Sequence, residues 1–364
     1  MQKASTGMMI VVLLLVCVAP ISQAAPASSV ITRYPVSGRP LRVAVEGPGR
    51  VWVTLPPQNA IGYLVVSPSG TYDVATYVLP TAGSEPYDIA YAAGAVWVTE
   101  RLGNKIARFD PATKTWTEYP VPTPDSQPTG LVVLAGSPVQ VWFAERSGNK
   151  LGQLIVAGDL TGAVAEFPLP AGAEFAQAQM EDVAAVSSDA VWFTLPGAGL
   201  IGRFSLPLWG SSQGFYFLNP RNYPWLFPGK TLRPWQMKLD GWGLPWFTEP
   251  GTDHIMRYNP NTIAQFEHYP VVSTNGELDG LWVSPATDRV TAWYTARTAN
   301  RVGQFRRVNF ADSVRELPAP GTAPSDIALD AAGCAWVAAG GSNEVIRWCP
   351  PYFQPVYLPL ISRR

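Results

Sequence analysis

The sequence predicts an all-β chain, a seven-bladed β-propeller of four-stranded antiparallel blades. A tryptophan-centred segment recurs seven times: Val51-Trp52-Val53-Thr54, Val96-Trp97-Val98-Thr99-Glu100, Val141-Trp142-Phe143-Ala144-Glu145, Val191-Trp192-Phe193-Thr194, Pro245-Trp246-Phe247-Thr248-Glu249, Ala292-Trp293-Tyr294-Thr295 and Ala335-Trp336-Val337-Ala338. Successive tryptophans lie 45, 45, 50, 54, 47 and 43 residues apart, a period that fits one blade of four short strands. The 36 prolines and 32 glycines among 364 residues suit short strands joined by turns.

Each element of a copy has its own signal. An opening strand starts at proline, as in Pro86-Tyr87-Asp88-Ile89, Pro128-Thr129-Gly130-Leu131 and Pro324-Ser325-Asp326-Ile327. The tryptophan strand follows, and its recurrence at one position marks packing between blades. Turns such as Gly103-Asn104-Lys105 lead to a third strand, Ile106-Ala107-Arg108-Phe109. Glu118-Tyr119-Pro120-Val121-Pro122 closes the copy, and its prolines confine it to a sheet edge. Two segments have this fourth-strand character without a blade of their own, 31–36 and 355–360. The N-terminal one is expected to close the ring. The propeller then spans 25–354, with 355–364 left as a C-terminal strand or a sorting tail.

Composition narrows the function. Formal charge is −1, from 26 Lys and Arg against 27 Asp and Glu, so no basic excess condenses on phosphate and nucleic acid is not an expected partner. With 47% hydrophobic residues the chain can bury a large core. Two histidines exclude mechanisms that need several.

Residues 1–24 read as a secretory signal peptide: Lys3, an apolar run over 8–19, then Ser22-Gln23-Ala24 at the cleavage position. That run is shorter than the roughly 20 residues of a membrane span. No later stretch is apolar enough to span, so a secreted or cell-surface monomer is expected. Export gives the cysteines meaning. If 340–343 form a hairpin turn, Ala339 faces Glu344 and, counting outward, Cys334 faces Cys349. Opposed residues approach to about 4.5 Å, within disulfide range. A Cys334–Cys349 bridge is expected, with two buried free thiols as the alternative.

The Pro-x-Gly/Asp-Ile, Trp-Phe-Thr-Glu, Gly-Asn-Lys-Ile-Gly-Arg-Phe and Glu-Tyr-Pro-Leu-Pro order resembles the streptogramin (virginiamycin B) lyase family over roughly residues 31–350, most specifically in 85–122 and 128–170. The resemblance implies a seven-bladed propeller and magnesium-assisted elimination that opens the ester ring of a cyclic peptide antibiotic. It also implies catalytic histidines right after the blade-opening proline in two late blades, with a glutamate before one of those prolines. Here that slot holds Leu41, Tyr87, Thr129, Glu181, Trp235, Asp279 and Ser325, and no histidine. Glu85-Pro86 reproduces the Glu-Pro step in an early blade. His254 falls in a turn slot and His268 in an outer strand, both away from the channel.

The first two slots of each blade should ring one mouth of the channel as a funnel. Candidate ligand-binding residues there are Tyr87, Asp88, Glu181, Asp182, Trp235, Gln236, Asp279 and Asp326, beside Arg42. Of these, Asp88, Asp182, Asp279 and Asp326 are candidate oxygen ligands for Mg²⁺ or Ca²⁺. An acidic, hydrated rim and backbone N–H pairing are the alternatives. A second candidate surface is the insertion over 205–232, rich in aromatics including Trp209, Phe215, Tyr216, Phe217, Tyr223, Trp225 and Phe227. The expected function is a non-catalytic module binding a small molecule, peptide or glycan. A metal-assisted lyase or hydrolase working through the funnel carboxylates is the alternative.

Overall fold

The computed structural model describes residues 30–349, apart from 189, 207–213, 220–226, 228–229, 263–264, 286–289 and 309–310. The signal-peptide segment and the tail at 355–364 lie outside the described residues, as do Trp209, Tyr223 and Trp225. Seven four-stranded antiparallel sheets form the chain. In the second blade they are Pro86–Ala92, Ala95–Glu100, Lys105–Asp110 and Thr115–Pro120, counted from the channel outward. Ala95–Glu100 is buried along its whole length, because neighbouring blades cover both faces. The outer strand is largely open, and Pro120 ends it opposite Lys105.

All seven repeat tryptophans are buried. Each of five lies against an aromatic ring in the third strand of the next blade. Trp52 meets Phe109 with ring centroids at 5.7 Å, Trp142 meets Phe204 at 6.0 Å, and Trp192 meets Tyr258 at 5.8 Å. Trp246 meets Phe305 at 5.8 Å, and Trp293 meets Trp348 at 4.7 Å. Such pairs add about 0.5–1.5 kcal/mol each beyond the area they bury. The recurrent tryptophan therefore joins blades rather than presenting a ligand platform.

The N-terminal strand closes the ring. Val30–Pro35 pairs with Glu344–Cys349 and becomes the outer strand of the seventh blade. In the same blade Ala335 faces Trp348 and Ala339 faces Glu344, the register expected from the turn. Cys334 and Cys349 are joined, with Cα atoms 4.2 Å apart.

The aromatic insertion is partly a blade element. Gly214–Leu218 is the fourth strand of the fourth blade. Phe215 packs on Phe204 at 4.9 Å and Phe217 on Phe175 at 4.5 Å, while Tyr216 on the other face is exposed. Among the described residues no helix is long and apolar enough to cross a membrane.

Candidate functional site

The threonine of the Trp-x-Thr segment explains how the innermost strands are held around the channel. Thr54 Oγ1 accepts the Arg42 N–H and donates to the Tyr87 carbonyl of the next blade. Thr194 does the same between Asp182 N–H and Trp235 O, and Thr248 between Gln236 N–H and Asp279 O. In the third and seventh blades this position is Ala144 or Ala338. There the opening slot supplies the hydroxyl instead. Thr129 donates to Met180 O, and Ser325 donates to Leu41 O.

The second slot clamps neighbouring blades. Asp88 Oδ2 accepts Leu131 N–H at 2.9 Å, Asp182 Oδ2 accepts Met237 N–H at 2.8 Å, and Asp326 Oδ2 accepts Val43 N–H at 2.9 Å. Gln236 Oε1 accepts Leu281 N–H at 2.9 Å. These N–H groups lie on the free edge of an innermost strand, where no sheet partner exists, and a buried N–H left unpaired is costly. Four of the eight candidate ligand-binding residues thus hold blade to blade.

First-slot residues, with Arg42 from the second slot of the first blade, fill the mouth. Arg42, from the first blade, donates to Asp279 Oδ1 of the sixth at 3.0 Å and to Ser325 O of the seventh at 2.8 Å. The Tyr87 hydroxyl donates to Glu181 at 2.5 Å, Arg146 forms an ion pair with the same carboxylate, and Trp235 Nε1 donates to Asp279 at 3.1 Å. Arg42 also donates to the Tyr87 hydroxyl at 3.5 Å, and with that contact all seven blades join in one network across the axis. Arg42, Tyr87, Glu181 and Asp279 are all buried. Burial opposes the Arg42 charge, but Asp279 and its other acidic neighbours hold the guanidinium proton more tightly than usual. Burial raises Glu181, against the pull of Arg146 and the Tyr87 hydroxyl. The expected funnel is therefore a plug, closed by its own side chains.

Arginines outside the candidate set complete the mouth. Arg101 stacks over Tyr87 at 5.3 Å and pairs with Glu85, while Arg146 lies 5.4 Å over Trp235. Arg297 stands 3.9 Å from Asp279 with 48% of its side chain exposed. All three directly follow the tryptophan strand, in Thr99-Glu100-Arg101, Ala144-Glu145-Arg146 and Thr295-Ala296-Arg297. That shared position is the signal that would have found them. The mouth is consequently a surface of guanidinium and aromatic groups, with its carboxylates neutralised.

The residues present do not fit the magnesium ion that the family resemblance implies. Among the described residues no three of His, Cys, Asp and Glu come together as a metal-holding group. Asp88, Asp182 and Asp326 each accept a backbone N–H from the next blade, and Asp279 is engaged by Arg42 and Trp235. The two histidines lie in the fifth blade. His254 and His268 face one another at 5.4 Å under Phe227, and burial lowers both pKa values. Neither belongs to the plug.

The model of the virginiamycin B lyase family matches residues 29–348. A virginiamycin B lyase of Nocardia farcinica is 38% identical over 102 residues, covering 28% of this chain and 35% of that protein's length. One of Bacillus licheniformis is 46% identical over 44 residues, covering 12% of this chain and 14% of that protein. These alignments span about a third or less of the relatives' own length. Among solved structures, virginiamycin B lyase from Staphylococcus aureus superposes with a TM-score of 0.71 at 22% identity, covering 88% of this chain and 99% of that one. That likeness shows the propeller fold, and the family match over nearly the whole described chain shows the lineage: the chain belongs to the virginiamycin B lyase family.

Proposed function

We propose that this chain is a non-catalytic, exported binding propeller that uses the arginine and aromatic mouth around Tyr87 and Trp235. The observation that supports it is the plug itself. Each carboxylate within it is tied to an arginine, a tyrosine hydroxyl or an indole N–H, and no imidazole is among them. Proton abstraction at neutral pH needs a base whose lone pair is free and whose pKa lies near the working pH. A histidine-to-alanine variant of the S. aureus lyase is catalytically inactive and was solved with quinupristin. Both histidines of this chain lie outside the mouth, so the same chemistry has no counterpart there. The Cys334–Cys349 bridge suits an oxidising compartment, in keeping with export.

The surface that remains suits a ligand with acidic or aromatic groups. Arg101 and Arg146 are preorganised by their rings, and Arg297 is the most exposed of the three. The test is incubation with quinupristin and Mg²⁺, followed by chromatography and NMR of the product. Unchanged quinupristin is expected. Appearance of the ring-opened acid, lost in Asp279→Ala or Glu181→Gln, would replace this reading with the lyase.

A further inference from the structure

Behind the plug the channel is not filled. A cavity of ≈ 500 Å³ runs from the second-slot residues to the far ends of the innermost strands, a size typical of small-molecule sites. Its lining includes Val186, which is 69% exposed, so the well opens to solvent on the face opposite the arginine mouth. The walls are apolar, and Tyr91 and Trp282 add two aromatic rings.

The floor is polar and asymmetric in charge. Asp88, Asp326 and Lys238 line it, and Asp182 stands 3.6 Å from the Lys238 ammonium. Three carboxylates thus face the Lys238 ammonium, while the Arg42 guanidinium, paired with Asp279, acts on Asp326 and Asp88 from behind. Asp326 is 7% exposed, and its Oδ2 accepts the Val43 N–H. Its Oδ1 has no donor among the described residues. A carboxylate that lines an apolar well and has one oxygen without a protein donor is a strong acceptor for a cationic hydrogen-bond donor.

We propose that this well is a ligand site distinct from the arginine mouth, and that it takes a small molecule with an apolar or aromatic body and a terminal ammonium group. The body lies along the walls beside Tyr91 and Trp282. The ammonium reaches Asp326 Oδ1 and offsets the excess negative charge of the floor. The placement does not depend on whether the mouth binds or catalyses.

Phenethylamine is a suitable probe, with 2-phenylethanol and phenylacetate as its neutral and anionic counterparts. Titration by calorimetry at pH 8 keeps Asp326 ionised, since burial holds its carboxyl up to about 7. Saturable binding of the amine is expected, weaker binding of the alcohol, and none of the acid. Asp326→Asn keeps an acceptor for Val43 N–H but removes the charge, and should weaken the amine about tenfold or more. Lys238→Gln removes the competing cation and should tighten it. Opposite signs in two folded variants separate a site effect from general damage. No heat with the amine, equal binding of amine and alcohol, or binding indifferent to both substitutions would overturn the proposal.

Discussion

Arg42 and Asp279 meet across the channel at 3.0 Å, from the first and sixth blades, with side chains 3% and 9% exposed. Removing one member of such a pair strands the other charge in a buried setting. Asp279→Ala should therefore cost about 3–5 kcal/mol in urea unfolding. The combined Arg42→Met, Asp279→Leu variant should recover most of that loss. A double variant as unstable as Asp279→Ala alone would show that the pair is not what holds the mouth.

Asp182 separates a clamp from a metal ligand. Asp182→Asn keeps a side-chain oxygen for Met237 N–H, whereas Asp182→Ala leaves that buried donor unpaired at about 1–3 kcal/mol. The alanine variant should unfold at clearly lower urea than the asparagine variant. Addition of Mg²⁺ or Ca²⁺ should not change the ranking. A midpoint that rises with either ion in the wild type, and not in Asp182→Asn, would restore the metal reading.

Glu145 carries a pH dependence. Its carboxylate oxygens are buried without hydrogen-bond partners, and burial, with Glu166 nearby, pushes its pKa up from 4.5 to about 8. Below about pH 4.5 the group is neutral in both folded and unfolded chains. Between 4.5 and 8 the unfolded chain ionises while the folded one keeps its proton, so this group lowers stability as pH rises. Above 8 the full penalty is present. Glu145→Gln removes it, so the variant should match the wild type near pH 4 and exceed it by a few kcal/mol near pH 9. Thermal unfolding across this range measures the gap, and a gap that shrinks with pH would refute the assignment.

The repeat tryptophans are not equivalent. Trp336 Nε1 donates to Asp330 at 2.9 Å and Trp246 Nε1 to Asp240 at 2.9 Å, while Trp142 Nε1 is buried without a partner. Substitution by phenylalanine removes similar volume at each site. Trp336→Phe should cost about 1–2 kcal/mol more than Trp142→Phe, because only the former removes a hydrogen bond, leaving Asp330 Oδ2 with Arg347 at 3.8 Å and no indole donor. Equal losses in chemical denaturation would assign the whole effect to packing.

The blades, the ring closure and the cysteine register were legible because each follows from a repeated spacing along the chain. The hydroxyl latch was not read from the sequence, although its columns are there once the contacts are known. Thr129 shares its blade with Ala144, and Ser325 with Ala338, so a gap in one column is filled from another in the same blade. The charge state of the mouth was not legible. Asp279 and Glu181 read as open acids because their partners, Arg42 and Tyr87, lie on distant blades and meet only when the ring closes. Arg101, Arg146 and Arg297 sit in a single column, but their direction over Tyr87, Trp235 and Asp279 depends on the turn after the tryptophan strand. The second-slot aspartates read as ligands because sequence does not reveal which strand edges lack partners.

The pairing of Val30–Pro35 with Glu344–Cys349 sets the order of events during synthesis. Of the described strands, the one made first must wait for the one made last, with the whole ring between them. Until then its edge is open to pairing with another copy, and the seventh blade has only three strands. Every other blade is made of consecutive strands and can assemble as it emerges, so closure is the single long-range step. A nascent chain halted before residue 344 would hold six complete blades and an unlatched ring.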